Sequence, residues 1–360
     1  MPPQRQASST LRDVAERAHV SLSTASLVFS GKGPVATETA ERVRAAAAEL
    51  GYLGPNPLAS SLRQGRSGVV GVVVEGRVRH AFQDPFAVSV LDGLAEVLDT
   101  IPTGLLLVGQ SPDDPDALLR QLGGLALDAV VFALCGLDRS PAVDYLAARR
   151  VPMVGTSAPV DRRVTQVRVD ERAAGATIAR YVHDLGHRRV AHVAMQLTPG
   201  SPAGPAPRAV PRSARYVAAF ARLRGFRDVF GPAAEVVQTG DGPGFEEGRA
   251  AGRALLDRPR SERPTAIVAQ SDVIAAGVVL AAEELGLQVP EELSVTGFDG
   301  VRLPWLAHRL TTMDQHGHDK GRLLGTLVKQ ALDGTRPRSR TEPVELREGT
   351  TTAPWPPAGR

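Results

Sequence analysis

Apolar residues in the first fifty positions recur at helical spacing in three short segments. The first segment places Leu11, Val14, Ala15 and Ala18 on one helix face. Thr10 precedes this face and can cap the helix, with Asp13 three residues later as the second half of a relaxed capping box. A first helix is therefore predicted directly after Thr10.

A second and a third helix are predicted after a short turn. Ser21 is a good N-cap for a helix over residues 22–30, which Gly31 would end. The third helix would run over about 37–50, with acidic residues in its first turn. Three helices of these lengths with a tight first turn are typical of a helix-turn-helix that reads DNA. A plain three-helix module with exposed hydroxyls fits this segment alone about equally well.

In a helix-turn-helix, the N-terminal part of the second helix enters the major groove. That placement would direct three side chains toward base edges, namely Leu22, Ser23 and Leu27. Hydroxyl groups and a helix N-terminus bind phosphate oxygens, so the predicted phosphate contacts are Ser21, Thr24 and Ser26. Thr10 is also placed among the predicted DNA contacts.

The run N-P-L-A-S-S-L-R, about thirty residues after the second helix, predicts a hinge helix. Asn56 can cap it and Pro57 suits its first position. A helix this short does not form alone in water, so we expect it only when docked on DNA. Leu62 would then act as an apolar wedge in the minor groove, with Ala59 and Arg63 as further contacts. The hinge favours the DNA-binding interpretation.

The positive charge of the chain is concentrated near its start. Residues 1–67 hold eight Arg or Lys and five Asp or Glu, whereas the other 293 residues hold 34 of each. The net charge of +3 therefore lies entirely in the N-terminal part. A small basic segment on a neutral body is typical of phosphate contact, although an excess of three charges alone is weak support.

The only cysteine is Cys135, so no intrachain disulfide can form, which is typical of a reducing compartment. The N-terminus lacks the apolar core of an export signal, and no apolar run is long enough to span a membrane. From these features we expect a cytoplasmic chain without a membrane partner.

The rest of the chain alternates apolar runs with helical stretches. The predicted strands are 69–74, 104–109, 129–134 and 151–155, followed by a second series at 190–194, 235–238, 266–269 and 294–298. Helices are predicted at 86–99 and 114–123, among others. Such alternation indicates parallel α/β sheets with right-handed crossovers. Two units of this kind would form a ligand crevice at their strand ends.

Six sequence blocks together resemble the lactose-repressor (LacI/GalR) family of transcription regulators. They are D-V-A-E-R-A in the first helix, the hinge run, L-G-H-R-R-V-A-H-V at 185–193, P-T-A-I-V-A-Q-S-D at 264–272, V-P-E-E-L-S-V-T-G-F-D at 289–299 and L-T-T-M-D-Q at 310–315. Each block alone is moderately specific, but their order and spacing over almost the whole chain are very specific.

The resemblance implies a homodimer on a pseudo-palindromic double-stranded DNA operator, most often as a repressor, with Leu62 of each chain at the central step. It implies an α/β fold with a helix-turn-helix head at 8–55, a hinge at 56–66, a body at 67–349 and a tail at 350–360. The body, similar to periplasmic sugar-binding proteins, would bind a small effector between two subdomains. The first would comprise 67–168 and 300–330, and the second 169–299 and 331–349.

The resemblance also implies effector contacts, carried over position by position to Phe86, Asp170, Arg222, Ser271, Asp272 and Asp299. Arg222 would grip a carboxylate or paired hydroxyls, and Asp299 would accept bonds from hydroxyls or base nitrogens. Phe86 would form a wall of the pocket. A salt-bridged or solvated role is the alternative for each polar member of the set.

The chain also departs from the family pattern. Leu27 stands where a polar base-reader is frequent, and His19 stands in the turn where Gly or Asn is usual and φ is often positive. Ser271 replaces a common Asn, and Glu171 follows Asp170 where Asn is common. The effector therefore need not be a sugar, and a small-molecule sensor whose head no longer reads DNA is the alternative function.

No cofactor, metal or enzymatic activity is expected. His183 and His187 have the spacing of a metal-binding pair with His192 nearby, but Gly186 interrupts the helix between them. A nucleophile would need a positioned base, and the sequence displays none.

Overall fold

The computed structural model describes residues 9–31, 33–54, 65–110, 114–134, 136–207, 210, 215–240, 242 and 244–356. The chain divides into two units, Met1–Ser67 and Gly68–Arg360, which we call the head and the body. The predicted hinge contacts Ala59, Leu62 and Arg63 lie outside the described residues. In the described part of the chain, no helix is long and apolar enough to cross a membrane.

The head contains the three predicted helices. They are α1 (Leu11–Arg17), α2 (Leu22–Ser30) and α3 (Thr37–Glu49). Thr10 and Asp13 form a capping box at α1, and the Ser21 side chain accepts a hydrogen bond from the backbone N–H of Thr24. Gly31 ends α2 with a left-handed φ of 64°. The start of α1 and both ends of α2 therefore lie where caps were read from the sequence.

The core of the head is made of small apolar residues. Val14, Ala25 and Val43, one from each helix, have no exposed surface. Phe29 packs edge-on against Tyr52 with ring centroids 5.3 Å apart. His19, in the turn before α2, has the expected positive φ, at 51°.

The first subdomain of the body is built on a six-stranded parallel sheet. Its strands are β1 (Val69–Glu75), β2 (Gly104–Gln110), β3 (Ala129–Phe132), β4 (Met153–Gly155), β5 (Val164–Arg168) and β12 (Arg340–Thr341), in the order β12-β5-β4-β3-β1-β2. Its helices are α4 (Val78–Gln83), α5 (Pro85–Leu98), α6 (Pro115–Gly123) and α7 (Pro141–Ala148), joined later by α12 (Gly317–Leu332). Valines of β1 without exposed surface pack against α5 and α12.

The second subdomain is built on a seven-stranded sheet. Its strands are β6 (Val190–Ala194), β7 (Gly204–Pro205), β8 (Glu235–Gln238), β9 (Ala266–Ala269), β10 (Ser294–Asp299), β11 (Thr311–Asp314) and β13 (Glu345–Arg347), in the order β13-β11-β10-β9-β6-β8-β7. The two outermost strands, β13 and β7, pair antiparallel, and the five inner strands are parallel. Its helices are α8 (Glu171–Asp184), α9 (Val217–Phe230), α10 (Phe245–Leu256) and α11 (Asp272–Glu284).

The chain passes between the subdomains three times, after β5, after β11 and after β12. The prediction that residues 300–330 return to the first subdomain is wrong for their first half. The buried strand β11 pairs beside β10, and only α12 packs on α5 of the first sheet. Within 331–349, β12 pairs with β5 rather than joining the second subdomain, whereas β13 lies in the second sheet as expected.

Residues 351–356 do not form a detached tail. Thr351 is completely buried, and its carbonyl oxygen accepts a 2.8 Å hydrogen bond from the backbone N–H of Val295. The backbone N–H of Trp355 donates to the carbonyl oxygen of Leu185 at 2.7 Å. This segment completes the second subdomain because its backbone groups satisfy those of buried strand and helix ends.

Helices α8 and α9 pack closely because each has a glycine at the contact. A Cβ atom at Gly225 of α9 would lie 2.2 Å from the carbonyl oxygen of Arg172, and one at Gly175 of α8 would lie 2.7 Å from that of Arg222. Gly225→Ala should therefore lower the free energy of unfolding of the body by about 1–3 kcal/mol, measured by urea denaturation.

The matched control is Gly124→Ala. Gly124 has φ −88°, and the nearest atom to an added Cβ is 3.8 Å away, so the change should be tolerated. Equal unfolding free energies for the two variants would contradict the close-packing account.

Candidate functional site

A cavity of about 200 Å³ lies between the two subdomains. Its first-subdomain side includes Glu75, at the end of β1, and Phe86, near the start of α5. Its second-subdomain side includes Arg222 of α9, Ser271 before α11 and Asp299 at the end of β10. The structure thus brings together four of the six predicted effector residues, at the carboxyl ends of parallel strands where open α/β folds bind ligands.

Arg222 is buried, with 4% of its surface exposed, and its guanidinium is held from several directions. Its Nε donates to Glu171 Oε2 at 2.7 Å, and one terminal nitrogen donates to the carbonyl oxygen of Gln270 at 2.6 Å. The guanidinium carbon lies 3.7 Å from the ring centroid of Phe298. Sequence reasoning noted Glu171 only as a departure. The structure makes it the charge partner of Arg222.

Asp299 occupies an unusual backbone position, with φ 134°. Its carboxylate accepts a 2.8 Å bond from the Gln315 side-chain amide and lies 3.9 Å from the Arg222 guanidinium. Burial raises the pKa of Asp299 well above its usual range, while the Arg222 charge opposes that shift. A conformation this rare for a residue with a side chain is held by the surrounding contacts and is typical of functional sites.

Asp272 lies behind the cavity and is absent from its lining, contrary to the expected effector contact. It has no exposed surface, and its carboxylate accepts bonds from the Thr312 hydroxyl at 2.6 Å and the backbone N–H of Val301 at 2.8 Å. Burial raises its pKa to about 6. Asp272 therefore ties the start of α11 to the loop after β10.

Asp170 also lies outside the cavity lining, so the structure does not bring it to the other predicted effector residues. It is exposed and caps α8, accepting a 2.9 Å bond from the backbone N–H of Ala173. The next residue, Glu171, points to Arg222 instead. Ser271 likewise caps its helix, at 3.1 Å from the backbone nitrogen of Ile274, but it does line the cavity.

Asp84 is a lining residue that sequence reasoning missed. It caps α5 by accepting a 2.9 Å bond from the backbone N–H of Phe86, and burial raises the pKa of its carboxyl. The signal was present, since an Asp followed by Pro85 is a typical helix start. The Asp84 carboxylate therefore both caps α5 and lines the cavity.

A polar chain links the two subdomains beside the cavity. Gln315 donates to Asp299 and accepts a 2.7 Å bond from Nζ of Lys320 on α12. The same Lys320 nitrogen lies 5.3 Å from the ring centroid of Phe86. Since α12 packs in the first subdomain, these contacts connect the ligand-side end of β10 to the opposite wall.

The N-terminus of α2 presents hydroxyl groups and two leucines. Ser21 Oγ lies 2.8 Å from both Ser23 Oγ and Thr24 Oγ1. Leu22 and Leu27 are 47% and 36% exposed. Ser26 is half-buried. The Thr10 hydroxyl bonds to Asp13 at 2.9 Å in the capping box. The helix α2 carries no charged residue, so any base readout by it is apolar or through hydroxyls.

The three histidines considered for metal binding have other partners. His183 Nδ1 lies 3.4 Å from Asp184 Oδ1. His187 Nδ1 lies 2.9 Å from Thr265 Oγ1. His192 stacks on Phe226 with ring centroids 4.5 Å apart, and burial lowers its pKa to about 3. Among the residues that the structure describes, no group of three His, Cys, Asp or Glu is arranged to hold a metal ion.

The raised pKa of Asp272 predicts a pH-dependent stability of the body. The folded state binds this proton more tightly than the unfolded state, so the stabilisation from this group is present at low pH and is lost as pH rises from about 4 through about 6. Asp272→Asn should reduce this pH-dependent fall in the free energy of unfolding, by up to about 3 kcal/mol. Urea unfolding at a series of pH values measures it. Parallel pH profiles for the two proteins would contradict the assignment.

Comparison with known proteins identifies two parts of the chain. Residues 10–56 match the family described as bacterial regulatory proteins, lacI family, and residues 179–352 match a periplasmic binding protein-like domain. An HTH-type transcriptional regulator of Mycolicibacterium smegmatis is 31% identical over 98% of each chain. The ribose operon repressor of Halalkalibacterium halodurans is 29% identical over 95% of this chain and 97% of its own.

A solved structure of the transcriptional regulator CelR in complex with cellobiose covers 95% of this chain and 99% of its own, with 26% identity and a TM-score of 0.63. The helix-turn-helix head, the two-subdomain body and these similarities lead to one conclusion. The chain belongs to the LacI family of bacterial transcriptional regulators.

Proposed function

We propose that this transcriptional regulator is an effector-responsive repressor that binds a pseudo-palindromic operator as a homodimer. The observation that carries the proposal is the presence, in one chain, of a helix-turn-helix head and a cavity between two subdomains. A ligand that binds differently to two arrangements of the subdomains can shift their equilibrium. A coupling of about 1–3 kcal/mol between effector and operator would suffice for regulation.

The head would read DNA through the exposed N-terminal end of α2. Leu22 and Leu27 would contact thymine methyl groups, because leucine cannot hydrogen-bond to a base edge. Ser23 would contact a base edge through its hydroxyl. Phosphate contacts are proposed for Ser21, Thr24, Ser26 and Thr10. The capping bonds of Ser21 and Thr10 fix these hydroxyls at helix N-termini, where phosphate binding is favourable.

The hinge segment would add a minor-groove contact in each half-site. Ala59, Leu62 and Arg63 are its proposed DNA contacts, with Leu62 as the wedge between base steps. The proposal rests on the sequence of the segment and on the family to which the chain belongs.

The effector would bind in the cavity, in contact with Phe86, Arg222, Ser271 and Asp299. Asp170 and Asp272 are not proposed as direct contacts, since neither lines it. A small-molecule complex in the similar structure CelR supports a ligand in this type of body. The residues that line the cavity determine which ligand this chain binds.

A sensor without specific DNA reading is a second candidate function. The observation that favours it is the absence of any charged side chain on α2. Both functions share the cavity, so only a DNA-binding experiment separates them.

Selection from random duplex DNA with the full chain, at a stated salt concentration, tests the repressor function. We expect enrichment of a palindrome of about 14–20 bp with a deformable central step, because two heads and two hinges would meet there. Enrichment of no sequence by folded protein would refute operator binding and leave the sensor function.

Leu62→Ala should weaken binding to the selected duplex by about 10- to 100-fold and reduce DNA bending, because the apolar wedge is lost. Fluorescence anisotropy and a bending assay measure the two effects. Leu53→Ala is the control, since Leu53 is fully exposed and precedes the hinge. Unchanged affinity for the Leu62 variant would contradict the wedge assignment.

Removing the charge pair in the cavity should abolish the effector response. The double variant Glu171→Gln with Arg222→Met avoids leaving one buried charge without its partner. We expect its operator affinity to remain within about threefold of wild type while the change caused by the effector disappears. Anisotropy titrations with and without effector measure this, and a retained response would contradict the role of Arg222.

A further inference from the structure

We propose that the effector carries a positively charged nitrogen, and that the cavity selects amines over neutral and acidic molecules of the same shape. This inference rests on the proposed effector role of the cavity. It adds the chemical class of the ligand.

The only arginine in the described lining of the cavity already has a charge partner. Arg222 and Glu171 are joined at 2.7 Å, and both are buried, with side-chain exposures of 4% and 9%. Another guanidinium nitrogen is directed to the carbonyl oxygen of Gln270. A carboxylate or phosphate entering the cavity would therefore meet an ion pair close to neutral rather than an uncompensated positive charge.

Three carboxylates line the same cavity, from both subdomains. Glu75 and Asp84 come from the first subdomain, and Asp299 comes from the second. Within the described residues, the other titratable lining groups are Arg222, His80 and Tyr216. Arg222 is compensated by Glu171, and the buried Lys320, outside the lining, is linked to Asp299 through Gln315. Acidic groups at the cavity therefore still outnumber the basic ones.

Two of these carboxylates, Asp84 and Asp299, lie where ionisation is costly. Burial raises the pKa of both Asp84 and Asp299, and Asp84 adds to the shift at Asp299 because the two charges repel. A cation between them would offset the cost of burial, whereas an anion would add a third like charge. A neutral polyol could donate hydrogen bonds to them but would not offset the cost of ionising them.

The remaining wall suits the apolar part of such a ligand. Phe86, Leu134, Met195 and Tyr216 contribute apolar surface, and two of them are aromatic. Aromatic rings attract cations and also stack on flat rings. The cavity thus combines an apolar wall with acidic groups on both sides.

Two matched series of small molecules test the inference on the full chain. One is benzylamine, benzyl alcohol and benzoate, and the other is glucosamine, glucose and glucuronate. We expect the amine to raise Tm in at least one series at about 10 mM, and its Kd by calorimetry to be about tenfold lower than that of the neutral member. The acid should bind most weakly.

Asp84→Asn separates charge recognition from general affinity. Asparagine keeps the helix cap at α5, so the variant should fold but lose the roughly tenfold preference for the amine. Asp170→Asn makes the same change at an exposed cap outside the cavity and should retain the preference.

Three results would overturn the inference. They are an alcohol or acid that binds as tightly as its amine, failure of both amines to raise Tm, and an unchanged preference in Asp84→Asn. None of these affects the DNA selection, and failure of the DNA selection would leave the ligand preference intact. The failure of this inference and the failure of the proposed function are therefore distinguishable.

Discussion

The buried ion pair between Arg222 and Glu171 is the interaction on which the cavity depends. It forms because α8 and α9 approach closely through Gly175 and Gly225, which places Glu171 within 2.7 Å of the guanidinium. Removing one partner of such a pair is strongly destabilising, because the other charge remains buried. The pair thus fixes the second-subdomain wall of the cavity. It also removes the strong positive charge that a lone arginine would offer, so the acidic residues determine the electrostatic character of the site.

The chain crosses between the two subdomains of the body three times. Each crossing follows the last residue of a sheet strand, so the subdomains are joined by short connections rather than by a continuous core. Arg222 and Asp299 belong to the second subdomain, whereas Phe86 and Asp84 belong to the first. Contacts from one ligand to both walls would favour one relative arrangement of the subdomains. The hinge segment immediately precedes β1 in sequence, so the first subdomain is the part covalently attached to it.

Much of the local structure could be predicted from the sequence, because caps and apolar runs act locally. Helix α2 begins after Ser21 and ends at Gly31, as predicted, and eight predicted strands were confirmed within a few residues. The strands β5, β7, β11 and β12 were not assigned from the sequence. β5 has the sequence V-T-Q-V-R, which is neither an apolar run nor a strict alternation, and the two-residue β12 is recognisable as a strand only by its pairing with β5. The subdomain boundaries failed for the same reason, since strand order is a long-range property.

The candidate site was predicted only in part. Phe86, Arg222, Ser271 and Asp299 line the cavity, but Asp170 and Asp272 do not, because helix capping and a buried hydrogen-bond set occupy their carboxylates. Glu171 and Asp84 could be placed at the site only from the packing of the helices.

We propose that ligand binding in the cavity and DNA binding by the head are coupled. The most direct test is the affinity of the full chain for its selected duplex, measured with and without the best-binding amine. The account predicts a change of about 5- to 150-fold. Equal affinities at saturating amine would contradict it.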